Sequence, residues 1–161
     1  ALAAGRSDRI RRVGLVSSVI PPADDGLAGL SKIPFAVRVL FWFSKGLVRV
    51  TGSDAVVEQY TDRSVSQSVS RAVADDFREA LRQGSRAVAR ESRSFATESV
   101  DPSRVDAELR AWHGTRDDNA SLSPVRSFVE EAEGTLVTLD ADHLGTLLDC
   151  RRSLFQWLRD Q

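Results

Sequence analysis

The sequence predicts an α/β domain with parallel strands and an inserted helical block, on three observations. Short apolar, β-branched runs recur at residues 12–19, 108–112 and 135–140. The second and third of these are each followed by a segment of helical period, and residues 27–99 lack strand alternation. Strands that alternate with helices need crossover connections, which favour parallel pairing with helices packed against the sheet.

Each element has its own local reason. "ALAAGRSD" reads as the last turn of an Ala-rich helix, so the chain opens partway through an element and further structure is expected upstream. Val13, Leu15 and Val16 build the first strand, and "PPADDG" (residues 21–26) ends it because proline supplies no ladder donor. In the block that follows, "DAVVEQY", "SVSRAVADDFREALRQG" and "RAVARESRSF" read as helices. Val69, Val73, Phe77, Ala80 and Leu81 recur at three- and four-residue steps and share one face, with Gly84 as the C-cap. Arg71, Arg78, Arg82, Arg86 and Arg90 are interleaved with Asp75, Asp76, Glu79 and Glu91, the pattern of a solvated ion-pair face.

Strand character returns at Glu108–Trp112. Ser123 is a suitable N-cap and Pro124 a suitable first residue for the next helix, whose stripe is Val125, Phe128, Val129 and Ala132 and whose end is Gly134. "TLVTLD" is a third strand. Leu144, Leu147, Leu148, Leu154, Phe155 and Leu158 then mark the inner face expected of a terminal helix.

Composition narrows the function. The chain has 161 residues, 42% hydrophobic and 28% charged, with 22 Lys and Arg against 23 Asp and Glu and a formal charge of -1. No net field draws it to nucleic acid or to an anionic membrane. One cysteine and two histidines exclude a disulfide framework and argue against structural zinc; no metal or other cofactor is expected. The longest apolar run, Ile33 to Phe43, is broken by Arg38 and falls short of the roughly 18 residues that a spanning helix needs.

In a parallel sheet, reactive groups sit on loops past the carboxyl ends of strands. Gly114 and Asp117 follow the second strand, and "DADHLG", with His143, follows the third. A carboxylate and an imidazole on such loops can meet, the first fixing the tautomer of the second, which is left free to take a proton from a nucleophile.

Through these residues the sequence resembles the α/β-hydrolase family. Gly114, Thr115 and Asp117 in "WHGTRDDNASLSPV" match the Gly-x-x-Asp turn after strand seven, and His143 in "DADHLGTL" matches the histidine after strand eight. "RSDRIRRVGLVSSVIPP" looks like the strand-six segment. The resemblance implies a partial α/β-hydrolase fold: the last three parallel strands with flanking helices plus an inserted helical cap. Residues 1–26 and 100–161 would form the C-terminal part of the core and 27–99 the cap. It implies Asp117 as triad acid and His143 as triad base, with Asp24 and Asp25 in reserve.

The departure from the family pattern is the nucleophile. No Gly-x-Ser-x-Gly occurs in the chain, since the serines of "AGLSK", "TGSDA" and "QGSRA" lack the second glycine and the preceding strand. The oxyanion-hole loop is missing as well, so the chain is not expected to complete the chemistry by itself. The expected activity is esterase-like hydrolysis of a carboxylic ester or related small molecule, with the triad serine supplied from upstream. The alternative is a non-catalytic binding protein that keeps the fold. A dehalogenase, an epoxide hydrolase and a C–C hydrolase use the same scaffold.

Phe35, Phe41 and Trp42, with Phe43, fit both an apolar substrate pocket and the cap's own core. His113 reads as structural and Cys150 as a packing residue. The expected partners are a small-molecule substrate and, along an exposed sheet edge, either an N-terminal half or a second copy. A cytoplasmic location is expected, an upstream signal remaining open.

Overall fold

A computed structural model describes residues 9–22, 56–82, 90 and 93–160. Asp24, Asp25, Phe35, Phe41, Trp42, Phe43 and Gly84 lie outside the described residues. The chain divides into two compact units, Ala1–Pro21 with Ser99–Gln161, and Pro22–Glu98.

The first unit is built on three parallel strands in the order β1-β2-β3: β1 (Arg12–Val16), β2 (Glu108–Gly114) and β3 (Thr135–Leu139). Val13 lies opposite Leu109 and Val16 opposite Trp112, while Ala111 lies opposite Leu136 and Trp112 opposite Val137. The α-helices described from end to end are α1 (Gln67–Arg82) in the second unit, then α2 (Leu122–Glu131) and α3 (His143–Arg159) in the first. The strand-helix alternation read from the sequence is therefore the fold of this unit.

Alternation along β2 divides its side chains between two cores, as expected of a central strand covered on both faces. Leu109 and Ala111 pack with Val125 and Val129 of α2, and Trp112 packs with Cys150 and Trp157 of α3. Val125 and Val129 are each 1% exposed, and burying such a side chain is worth about 1.5–3 kcal/mol.

The inner face of α3 differs from the expected one. Leu144 is buried and Leu154 packs against the core, but Leu147, Phe155 and Leu158 are exposed. Thr146, Cys150 and Trp157 are buried instead. At 100° per residue, Thr146, Cys150 and Trp157 share one side of the helix, Leu147 and Leu158 fall on its flank, and Phe155 falls nearly opposite it. A leucine count cannot separate an inner face from an adjacent flank.

Trp157 is the anchor of α3. Its ring meets Trp112 edge-on with centroids 5.7 Å apart, and the guanidiniums of Arg110 and Arg12 lie 5.0 and 5.5 Å from it. Its Nε1–H donates to Glu108 at 2.9 Å. Arg12 pairs with the same carboxylate at 2.9 Å and donates to the carbonyls of Trp157 and Asp160 at the end of α3. The indole donor, then the Arg12 bond and charge, hold the Glu108 carboxyl below its ordinary value of 4.5. A depressed carboxyl stabilises the fold above its unfolded pKa and loses that contribution as pH falls through the folded one. The stability advantage of wild type over Glu108→Gln is thus expected to shrink as pH drops below 4.5, which thermal unfolding midpoints across that range will measure.

Helix α2 starts and stops differently from the reading of its sequence. The N-cap is Ser121, not Ser123, which places Pro124 third in the helix. Proline is tolerated there because the first-turn N–H groups have no intrahelical acceptor anyway. At the other end the Glu133 N–H donates to Glu130 and the Gly134 N–H to Val129, with Glu133 at a φ of 52°. This is a Schellman ending with glutamate, not Gly134, in the left-handed position. Glu133 is exposed, so Glu133→Gly is expected to raise stability by about 0.5–1 kcal/mol, measurable by chemical denaturation. Gly134 serves a different need: a Cβ there would stand 2.9 Å from the Leu109 carbonyl oxygen.

In α1 the sequence stripe holds in part. Val69, Val73 and Phe77 are half-buried, Ser70 and Ala74 are buried beside them, and Ala80 is exposed. Arg78 pairs with Asp75 and Arg82 with Glu79 across single turns, as the charge pattern indicated.

Candidate active site

Both loops that carry the predicted site residues leave the carboxyl edge of the sheet, where β2 and β3 end side by side. Gly114 lies opposite Leu139 as the last pair of the ladder. The Thr115 N–H then donates to Leu139 and the Arg116 N–H to Ala141. Arg116 also bridges to Asp140 at 2.9 Å. The loop after β2 is therefore tied to the loop after β3 before either reaches Asp117 or His143.

Asp117 sits where the first loop turns toward α2. Its Oδ1 accepts the N–H groups of Asn119 and Ala120, each at 2.9 Å, closing a tight turn on the carboxylate. The side chain is fully shielded from solvent. His143 is the first residue of α3, held there by Asp142, whose carboxylate caps the helix by accepting the Gly145 N–H at 2.7 Å. The Thr146 hydroxyl adds a bond to the Asp142 carbonyl.

Across 26 residues of sequence the two side chains meet. His143 Nδ1 lies 3.0 Å from Asp117 Oδ2 and 3.1 Å from Oδ1. A carboxylate only accepts, so Nδ1 carries the proton and Nε2 presents its lone pair. The imidazole is 30% exposed while its partner is sealed, so reactants reach the ring but not the acid. Such a pair has the geometry of a base with its orienting acid.

The other predicted residues fall into place or outside. His113 is wholly buried, with Nδ1 donating to the Gly114 carbonyl at 3.0 Å, so it braces the strand end and stays out of the pair. Cys150 is buried in the Trp112–Trp157 core, and burial pushes its thiol up. Asp118 is exposed and does not share Asp117's position. Among the described residues no group of three or more His, Cys, Asp or Glu is arranged to hold a metal.

Two features escaped the sequence reading. Asp142 caps α3, a role signalled only by an aspartate three residues before Gly145. Ser17, just past β1, is buried, adopts a φ of 42° and donates from its hydroxyl to the His143 carbonyl at 3.2 Å. Nothing in "LVSSV" distinguishes that serine from a loop residue.

The chain matches no protein-family model and no curated protein. Among solved structures it is similar to the enol-lactonase from Burkholderia xenovorans LB400, at 19% identity and a TM-score of 0.64, over 99% of this chain and 59% of that one. It is similar to the 2-hydroxy-6-oxo-6-phenylhexa-2,4-dienoate hydrolase (BphD) from Rhodococcus sp. strain RHA1, at 13% identity and a TM-score of 0.53, over 97% and 57%. An α/β-hydrolase-fold protein from Burkholderia ambifaria matches at 19% identity and 0.55, over 99% and 61%. The fold is thus that of the α/β hydrolases, three parallel strands with flanking helices. The chain spans about three fifths of the length of these structures.

Proposed function

We propose that this chain supplies the acid and the histidine of a hydrolase acting on a carboxylic ester or related small molecule. The observation that carries the reading is the Asp117–His143 pair, 3.0 Å apart, on two loops at the carboxyl edge of the sheet. His143 Nε2 takes the proton of a serine hydroxyl as that oxygen bonds to the acyl carbon, and then returns it to the leaving group. Asp117 holds Nδ1–H throughout and offsets the positive charge that develops on the ring. Water repeats the cycle and releases the acid.

The chain has no Gly-x-Ser-x-Gly, so the nucleophile of this reading comes from outside these 161 residues, in a segment or second polypeptide that pairs along the outer edge of β1. That edge has no strand partner among the described residues. The same edge is where two copies of the chain would pair. In this reading residues 27–99 serve as the cap. Among the described residues no helix is long and apolar enough to cross a membrane; a cytoplasmic location is part of the proposal.

The protein that carries this chain is expected to hydrolyse small carboxylic esters or enol lactones, and His143→Gln is expected to lower kcat/KM by about 10³-fold or more. Unchanged turnover in His143→Gln would remove the histidine from the reaction. The second reading is a binding protein that keeps the fold without catalysis. It predicts no turnover in either protein.

A further inference from the structure

His143 needs its backbone held as firmly as its ring. Asp117 fixes one edge of the imidazole, but the direction in which Nε2 points also depends on where the His143 backbone sits. Asp142 and Thr146 bond within the first turn of α3 and hold that turn together without fixing it to the sheet. The Arg116 N–H to Ala141 bond ties the preceding loop to the β2 side. On the β1 side the tie is Ser17.

Ser17 is 8% exposed and extends the ladder by one bond, its N–H donating to the Trp112 carbonyl at 3.0 Å. Its hydroxyl then donates to the carbonyl oxygen of His143 itself, at 3.2 Å. The bond is made from a left-handed backbone, φ 42°, a region that non-glycine residues disfavour. Glycine would occupy that position without the cost but would carry no hydroxyl. A serine held there keeps a hydrogen bond at the expense of backbone strain, and strain of this kind is concentrated at functional sites.

We propose that Ser17 is a positioning residue for His143: its hydroxyl, bonded to the His143 carbonyl, fixes the backbone from which the imidazole projects, so that Nε2 faces the reacting group in one direction. The proposal rests on the reading of Asp117 and His143 as acid and base. It concerns placement only, since the hydroxyl is engaged by a backbone carbonyl and transfers no proton.

Two substitutions separate placement from stability. Ser17→Gly removes the hydroxyl and relieves the left-handed strain; Ser17→Ala removes the hydroxyl and keeps the strain. The readouts are the thermal midpoint, the His143 Nδ1–H resonance and its exchange with water, and kcat and KM measured separately. Ser17→Gly is expected to be at least as stable as wild type, yet to exchange the Nδ1 proton about 10-fold faster and to lose about 10-fold or more in kcat at constant KM. Ser17→Ala is expected to show the same loss at the site together with a lower midpoint.

If Ser17→Gly keeps the wild-type resonance and exchange rate, Ser17 is a structural turn residue and the proposal is overturned. If exchange accelerates as expected while neither wild type nor variant turns over any ester, the placement of His143 by Ser17 stands and the hydrolase reading fails.

Discussion

Asp117→Asn is expected to cut turnover by about 10³ to 10⁴-fold while leaving the fold almost as stable as before. The reason lies in how the two carboxylate oxygens divide their partners. Oδ1 accepts two backbone N–H groups, from Asn119 and Ala120, and no amide nitrogen can replace an acceptor at that place. The asparagine oxygen must therefore occupy the Oδ1 position, where the two backbone N–H groups already engage it although it lies 3.1 Å from His143 Nδ1, and its NH₂ group is left at the Oδ2 position, 3.0 Å from that nitrogen. A donor now faces the ring nitrogen. The imidazole answers by moving its proton to Nε2, which can no longer accept one from a nucleophile. The turn survives because its two bonds survive, so the unfolding free energy is expected to change by no more than about 1 kcal/mol. Nitrogen chemical shifts of the ring would report the tautomer directly. A variant with the wild-type tautomer and wild-type turnover would show that Asp117 is only a turn residue.

The meeting of Asp117 and His143 was legible because each is announced by short-range sequence: a glycine and a carboxylate three residues apart after a strand, and a histidine opening a helix after the next. The strand order followed from the same alternation. What the sequence hid is whatever depends on three-dimensional register. The side of α3 that faces the sheet is set by Trp157 packed against Trp112 and beside two arginines, not by the leucine spacing that marked Leu147, Phe155 and Leu158 as inner residues. The end of α2 is set by hydrogen bonds that place Glu133, not the adjacent glycine, in the left-handed position. Ser17 reaches His143 across 126 residues, and no local pattern encodes a contact of that range. Site chemistry is read from residue types at strand ends, whereas site rigidity is written in long-range packing.

Gly114→Ala tests whether that packing and the chemistry are one system. Gly114 ends β2 three residues before Asp117, and an added Cβ would stand 2.2 Å from the Ala141 carbonyl oxygen and 2.6 Å from the Thr146 hydroxyl oxygen. Neither neighbour is the loose end of a flexible chain: the first is backbone, and the second is a buried hydroxyl bonded to the Asp142 carbonyl. Relief requires the 140–142 loop to move away from β2, which breaks the Arg116 N–H bond to Ala141 and shifts the capped first turn that carries His143. The expected loss is about 3 kcal/mol or more, at the upper end of overpacking effects, with the Nδ1–H signal of His143 lost even in the fraction that stays folded. Gly134→Ala is the matched control. Its Cβ would meet the Leu109 carbonyl oxygen at 2.9 Å, on the opposite end of the sheet from the loops that carry Asp117 and His143. It is expected to lower the unfolding midpoint while the folded protein keeps the wild-type His143 resonance. Equal loss of that resonance in both variants would mean that the pair reports only global stability. Loss in Gly114→Ala alone would show that the close approach of β2 to the Ala141 peptide sets the distance between acid and base.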